Sequence, residues 1–108
     1  MVNWMPDSLQ LTFSDLVIDL ERYQVRVRGR ALALPYREYA LLAYLAGRAG
    51  QSVSRRRLLE EGLGRHDAAA LRMVDEHMRH LKGTLEREGQ HVIHSEEETG
   101  YRFIAGRT

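Results

Sequence analysis

The sequence predicts an α+β domain in which a small antiparallel sheet of four strands leads into three helices and a closing two-stranded hairpin. Three observations predict it. Apolar and polar residues alternate in short pieces from Leu11 to Leu34, the two-residue period of strands with one buried face. Apolar residues then recur at spacings of three and four from Tyr39 to Leu85, the period of helices. Alternation returns after Gly89, around a turn at Thr99-Gly100.

The first strands are Leu11 to Phe13 and Leu16 to Ile18, broken at Ser14-Asp15. In the next, Tyr23 to Arg28, Val25 and Val27 face one way and Arg26 and Arg28 the other. Gly29 permits a tight turn into a returning strand, Leu32 to Leu34. Arginines alternating on an exposed sheet face resemble an RNA-binding strand only superficially, because no aromatic stacking platform accompanies them. Pro35 suits the first turn of a helix, and Tyr39, Leu41, Leu42, Leu45 and Ala46 carry its stripe through Arg48, with Gly47 and Gly50 marking the end. Ser54 is an N-cap for a second helix with Leu58, Leu59 and Leu63 on its apolar side, stopped by Gly62 and Gly64.

The third helix, Ala68 to Leu85, buries Leu71, Val74, Met78, Leu81 and Leu85. Its other face carries Arg72, Glu76, Arg79, His80 and Lys82. A buried stripe opposite a long polar face suits a helix lying in a DNA groove; a surface helix with a solvated charged face is the plainer reading of the same pattern. His91 to His94 and Tyr101 to Ile104 then form the hairpin, a wing. Strands, three helices and a hairpin in that order describe a winged helix-turn-helix with an extra N-terminal sheet.

Composition bounds the function. The 108 residues fit one domain, and 44% hydrophobic residues are enough to bury a core without staples. The absence of cysteine excludes thiolate nucleophiles, disulfides and cysteine zinc sites and suits a reducing compartment. No apolar run approaches the roughly 20 residues that span a bilayer, and the opening MVNWMPDSLQ lacks the regions of a signal peptide. The expectation is a cytoplasmic protein without a membrane partner. Residues 1–10 read as a leader or linker stub, with docking of Trp4 left open, residues 11–105 as the domain and 106–108 as a tail. Net charge is +1, from 16 basic and 15 acidic residues, so DNA binding has to come from charge segregation rather than bulk charge.

Four pieces carry a family resemblance: L-P-Y-R-E-Y-A-L-L at Leu34 to Leu42, V-S-R-R-R-L-L-E at Val53 to Glu60, R-M-V-D-E-H-M-R-H-L-K at Arg72 to Lys82, and T-G-Y-R-F at Thr99 to Phe103. In that order, from about Leu11 to Ala105, the chain resembles the C-terminal DNA-binding domain of OmpR/PhoB-type response regulators. The resemblance implies a four-stranded N-terminal sheet, a third helix in the major groove and a hairpin wing at the neighbouring minor groove. It implies double-stranded DNA as partner, head-to-tail or homodimeric association, and RNA polymerase contacting the loop Leu63, Gly64, Arg65, His66 and Asp67. Arg72 and His77 match phosphate-contacting positions. Glu76, Arg79, His80 and Lys82 match positions facing bases or nearby backbone, and Ser95, Glu97, Thr99 and Arg102 fall on the wing. Asp75 matches a family aspartate, and its own spacing suggests an intrahelical pair with Arg72 or Arg79.

The departures concern charge. Such wings usually read T-V-R-G-x-G-Y, whereas here the stretch is Ser95-Glu96-Glu97-Glu98-Thr99-Gly100-Tyr101, with glutamate at the arginine position. A carboxylate cannot donate to phosphate and is repelled by it. Glu76 replaces a commonly aliphatic residue; it can accept from a cytosine amino group or simply weaken binding. Gly83 and Thr84 replace basic residues, Leu63 a tryptophan and Pro35 a threonine cap. The alternative function is a winged helix with weakened or lost DNA affinity that binds proteins through its acidic wing.

Other chemistry is poorly represented. No G-x-S-x-G, Walker A or dinucleotide fingerprint occurs. His77 and His80 lie three apart on one helix without an evident third ligand, and Glu96 to Glu98 read as a solvated turn rather than catalytic carboxylates. No metal, cofactor or enzymatic activity is expected.

Overall fold

The computed structural model describes residues 9–105; Trp4 lies outside them. Strands β1 (Gln10–Phe13), β2 (Leu16–Asp19), β3 (Gln24–Val27) and β4 (Arg30–Leu32) form an antiparallel sheet in sequential order. Leu16, Ile18, Val25 and Val27 supply its buried face, as their alternation requires. Asp19, fully buried, closes the β2–β3 connection by accepting from the backbone N–H groups of Glu21 and Arg22 at 3.0 Å. The Arg22 amide, first among these donors, holds the Asp19 carboxyl below its usual range.

β4 departs from expectation. It occupies Arg30–Leu32 rather than Leu32 to Leu34. Arg28 and Gly29 both have positive φ, 50° and 81°, so the hairpin turns within two residues. Pairing resumes at once, Val27 opposite Arg30. Leu34 still packs against the core, from a connecting segment.

Helix α1 (Tyr36–Ala46) buries Tyr39, Leu41, Leu42, Leu45 and Ala46 together with Glu38. Pro35 stands just outside it in an extended conformation, and its carbonyl accepts from the amides of Glu38 and Tyr39. The helix stops at Ala46, two residues before Arg48, with Gly47 as its cap. Helix α2 (Arg55–Arg57) continues into a π-helical turn over Leu58–Gly62 that buries Leu58 and Leu59. The Ser54 hydroxyl caps α2, accepting from Arg57 N–H at 3.1 Å.

Helix α3 (Ala68–Arg87) runs two residues beyond Leu85 and starts at Asp67, whose Oδ2 accepts from Ala70 N–H at 3.1 Å. That bond, first among its influences, lowers the Asp67 pKa. Val74, Met78, Leu81 and Leu85 are buried and Leu71 is half-buried.

A second sheet has the order β5 (Ser52–Val53), β7 (Gly100–Phe103), β6 (Ile93–Glu96). The sequence reading lacks β5, a two-residue strand between α1 and α2 that pairs with the wing, Val53 opposite Tyr101. β6 also lies two residues later than His91 to His94, because Glu96 pairs with Gly100 and leaves only Glu97 to Thr99 for the turn. Fully buried Phe103 joins the two sheets, its ring 4.7 Å from that of Phe13.

Candidate nucleic-acid interface

Burial of one stripe of α3 leaves Arg72, Met73, Glu76, Arg79 and His80 exposed on the other side. Arg72 has no ion-pair partner among the described residues. Arg79 donates to Glu76, one turn earlier on the same exposed face. Lys82, half-buried, lies 3.5 Å from Glu86. His77 is half-buried and lines a shallow groove with Arg37, Met73 and the start of α3. His80 turns toward α1, where its Nδ1 lies 2.8 and 2.7 Å from the two carboxylate oxygens of Glu38.

Asp75 corrects an expectation. It does not bond Arg72 or Arg79 within its helix. Arg55 Nε donates to its Oδ1 at 2.8 Å, and the Tyr101 hydroxyl donates to the same oxygen. The reason is direction: Asp75 stands on the flank of α3 that faces α2 and β7, while Arg79 is engaged by Glu76. Burial pushes the Tyr101 hydroxyl up to about 12, reinforced by the Asp75 carboxylate it bonds. Burial opposes the Asp75 charge, yet the bonds from Tyr101 and Arg55 outweigh it and hold the pKa below its usual value. The three side chains clasp α3, α2 and the wing together. Because of that clasp, Ser95 of β6 comes to line one concave surface with Arg79 and Lys82 of α3.

The wing is less acidic than its sequence. Glu96 accepts from Arg102 Nε at 2.6 Å, Ser52 Oγ at 2.6 Å and Thr99 Oγ1 at 3.1 Å. These bonds, that from Arg102 foremost, hold its carboxyl down to about 2. Arg102 also donates to the Gly50 carbonyl at 2.8 Å. Thus Thr99 and Arg102 brace Glu96 where the strands meet the turn, whereas Ser95 faces α3 and Glu97 and Glu98 stand exposed at the tip. Neither tip glutamate has an ion-pair partner among the described residues.

The loop Leu63 to Asp67 divides similarly. Leu63 packs on the core, Gly64 turns the chain at φ 68°, and Asp67 caps α3 and pairs with Arg65 at 3.1 Å. Arg65 and His66 keep outward, exposed side chains.

Sequence reasoning missed three residues: Arg37, exposed beside the α3 groove, Arg55 and Glu38. Glu38 left a signal, since it shares the helical stripe of Leu41, Leu42 and Leu45 at spacings of three, four and seven.

Residues 29–103 match the family of transcriptional regulatory proteins, C-terminal. The sensory transduction protein RegX3 of Mycobacterium leprae is 30% identical over 79 residues, and that of Mycolicibacterium smegmatis 29% over 77 residues. These matches cover 73% and 71% of the chain but only 40% and 34% of the relatives, so the chain spans well under half their length. The DNA-binding domain of CpxR from E. coli superposes with a TM-score of 0.77 at 28% identity, covering 91% of this chain and 98% of that one. The RstA DNA-binding domain of Klebsiella pneumoniae, solved in complex with its RstA box, gives 0.76 at 27% identity, covering 90% and 98%. DrrB of Thermotoga maritima, an OmpR/PhoB homologue, gives 0.75 at 29% identity over 88% of this chain and 44% of that one. With the element order, the family match and these neighbours in agreement, the chain belongs to the C-terminal, winged-helix DNA-binding domains of OmpR/PhoB-type transcriptional regulators.

Proposed function

We propose that the chain reads double-stranded DNA as the output module of a two-component transcriptional regulator, with α3 in the major groove and the β6–β7 hairpin near the adjoining minor groove. One observation carries the reading. The polar face of α3 is outward and sterically open while its other face and flank are locked by the core and by the Asp75–Arg55–Tyr101 clasp. A rigid helix with exposed donors is what base-edge contact requires. Phosphate contact falls to Arg72 and His77, base or nearby backbone contact to Glu76, Arg79, His80 and Lys82, and the wing offers Ser95 and the tip. DNA binding is favoured over a protein-interaction role for the wing, because one of its three glutamates is ion-paired with Arg102 inside the hairpin.

The finer partners belong to the same proposal. The loop Leu63 to Asp67 offers Arg65 and His66 to RNA polymerase, and two copies sit head to tail on tandem half-sites. The site of action is the cytoplasm, in keeping with the lack, among the described residues, of a helix long and apolar enough to cross a membrane. The chain has no catalytic role in this reading.

Fluorescence anisotropy with duplex DNA over a salt series tests it. Saturable binding is expected, weakening steeply as salt rises, and Arg72→Ala is expected to flatten the salt slope by about one unit. Glu97→Arg should tighten non-specific binding and steepen the slope by about 1 to 2 units. A slope near zero without saturation rejects DNA binding, and an indifferent Glu97→Arg removes the wing from the interface. For the loop, Arg65→Ala with His66→Ala should leave DNA affinity intact and lower transcription by purified polymerase; unchanged transcription removes the polymerase contact.

A further inference from the structure

Glu38 is 4% exposed, lies on α1, and has a single polar side-chain partner among the described residues, His80 of α3. The imidazole itself is 60% exposed on the polar face of α3. A buried carboxylate without a bonded partner is costly, so the contact also fixes the ring. A carboxylate only accepts, which places the hydrogen on Nδ1. No hydrogen bond among the described residues engages Nε2, leaving that atom as the one the ring can offer to a ligand. Resting on the DNA-binding reading above, we propose that Glu38 is a positioning residue for base readout, holding His80 so that Nε2 addresses a base edge and, with the ring protonated, donates to guanine N7 or O6.

The identity of the base follows from the state of the ring. As imidazolium, Nε2 carries a hydrogen, and guanine is the base that presents two acceptors in the major groove. As neutral imidazole with Nδ1 still protonated, Nε2 is an acceptor and matches the amino groups of adenine or cytosine instead. Base preference at that one position therefore depends on pH through the charge of the ring. Among the described residues the ring's charged partner is Glu38 on α1; on its own helix Glu76 and His77 stand four and three residues earlier, with Arg79 next to it already paired to Glu76. Protonation of His77 or of histidines elsewhere adds attraction to phosphate and changes affinity for all sequences alike. It does not select a base.

The experiment selects the chain against a pool of duplexes with a randomised core of about 20 base pairs, room for two half-sites one helical turn apart. Selections run at about pH 5.5 and about pH 8. For the native chain, one position should favour guanine about tenfold at the lower pH and lose that preference at the higher. His80→Arg should keep guanine at both, since it donates at both. His80→Gln should lose the pH dependence and move toward adenine. Glu38→Gln should lower the guanine preference toward that of His80→Gln while retaining affinity for unselected duplex. Guanine enrichment that ignores pH and survives in His80→Gln overturns the proposal, as does a folded Glu38→Gln that selects like the native chain. The His80 variants decide the matter if Glu38→Gln does not fold, because His80 is exposed. A pool from which nothing is retained at low salt rejects DNA binding itself, a result distinct from retention without a pH-dependent position.

Discussion

Where the wing strands meet their turn, Glu96 has three donors on its carboxylate, and Arg102 is foremost in holding its pKa down to about 2. The folded value is depressed, so the contact stabilises fully above the ordinary value of 4.5 and is lost as pH falls from there through about 2. Comparing thermal unfolding of the native chain and Glu96→Gln across that range checks this. The native chain should be the more stable above pH 4.5, with the difference vanishing near pH 2; a pH-independent difference rejects the assignment. This internal use of Glu96 was not legible in the sequence, where Glu96, Glu97 and Glu98 are equivalent letters. Their separation depends on which strand lies beside them. Asp75 teaches the same point, since spacing suggested a partner three or four residues away and the partner came from 20 residues away.

Elements were more legible than their edges. Each helix follows from its apolar stripe, and the Ser54 cap from its place before Leu58 and Leu59, because these signals are local. β5 was illegible for the opposite reason: two residues carry no period, and Ser52–Val53 are a strand only because β7 lies beside them. Gly100 marks that proximity. Its φ is 133°, and a Cβ there would stand 2.1 Å from the Val53 carbonyl oxygen. Gly100→Ala should therefore separate β5 from β7, costing at least about 2 kcal/mol of stability through strain and clash. Urea denaturation measures it, and a loss below about 0.5 kcal/mol, the usual range for surface substitutions, contradicts the close approach.

Across the whole molecule, the two sheets and three helices share one core, in which Phe103 touches Phe13 of the N-terminal sheet from the middle strand of the second. Phe103→Ala should cost about 3 to 5 kcal/mol. It should do so as a single transition, followed together by far-ultraviolet circular dichroism and tyrosine fluorescence. Two separated transitions mean that the sheets unfold independently. Apart from β5, the order of elements and the buried faces were legible, because alternation and helical period report burial directly. The docking of one element on another was not, since Glu38 with His80 and Arg55 with Asp75 meet across long sequence separations.

The clasp of Asp75 by Arg55 and Tyr101, with β5 stitched to β7, braces the wing against α3 like the two jaws of a caliper. In the proposed docking, a gauge braced in this way would leave much of the fitting to the duplex. Sequences whose groove already has the matching width would be bound with the least deformation, and flexible steps would be favoured where it differs. Part of this domain's selectivity would then lie in base pairs that none of its side chains reaches.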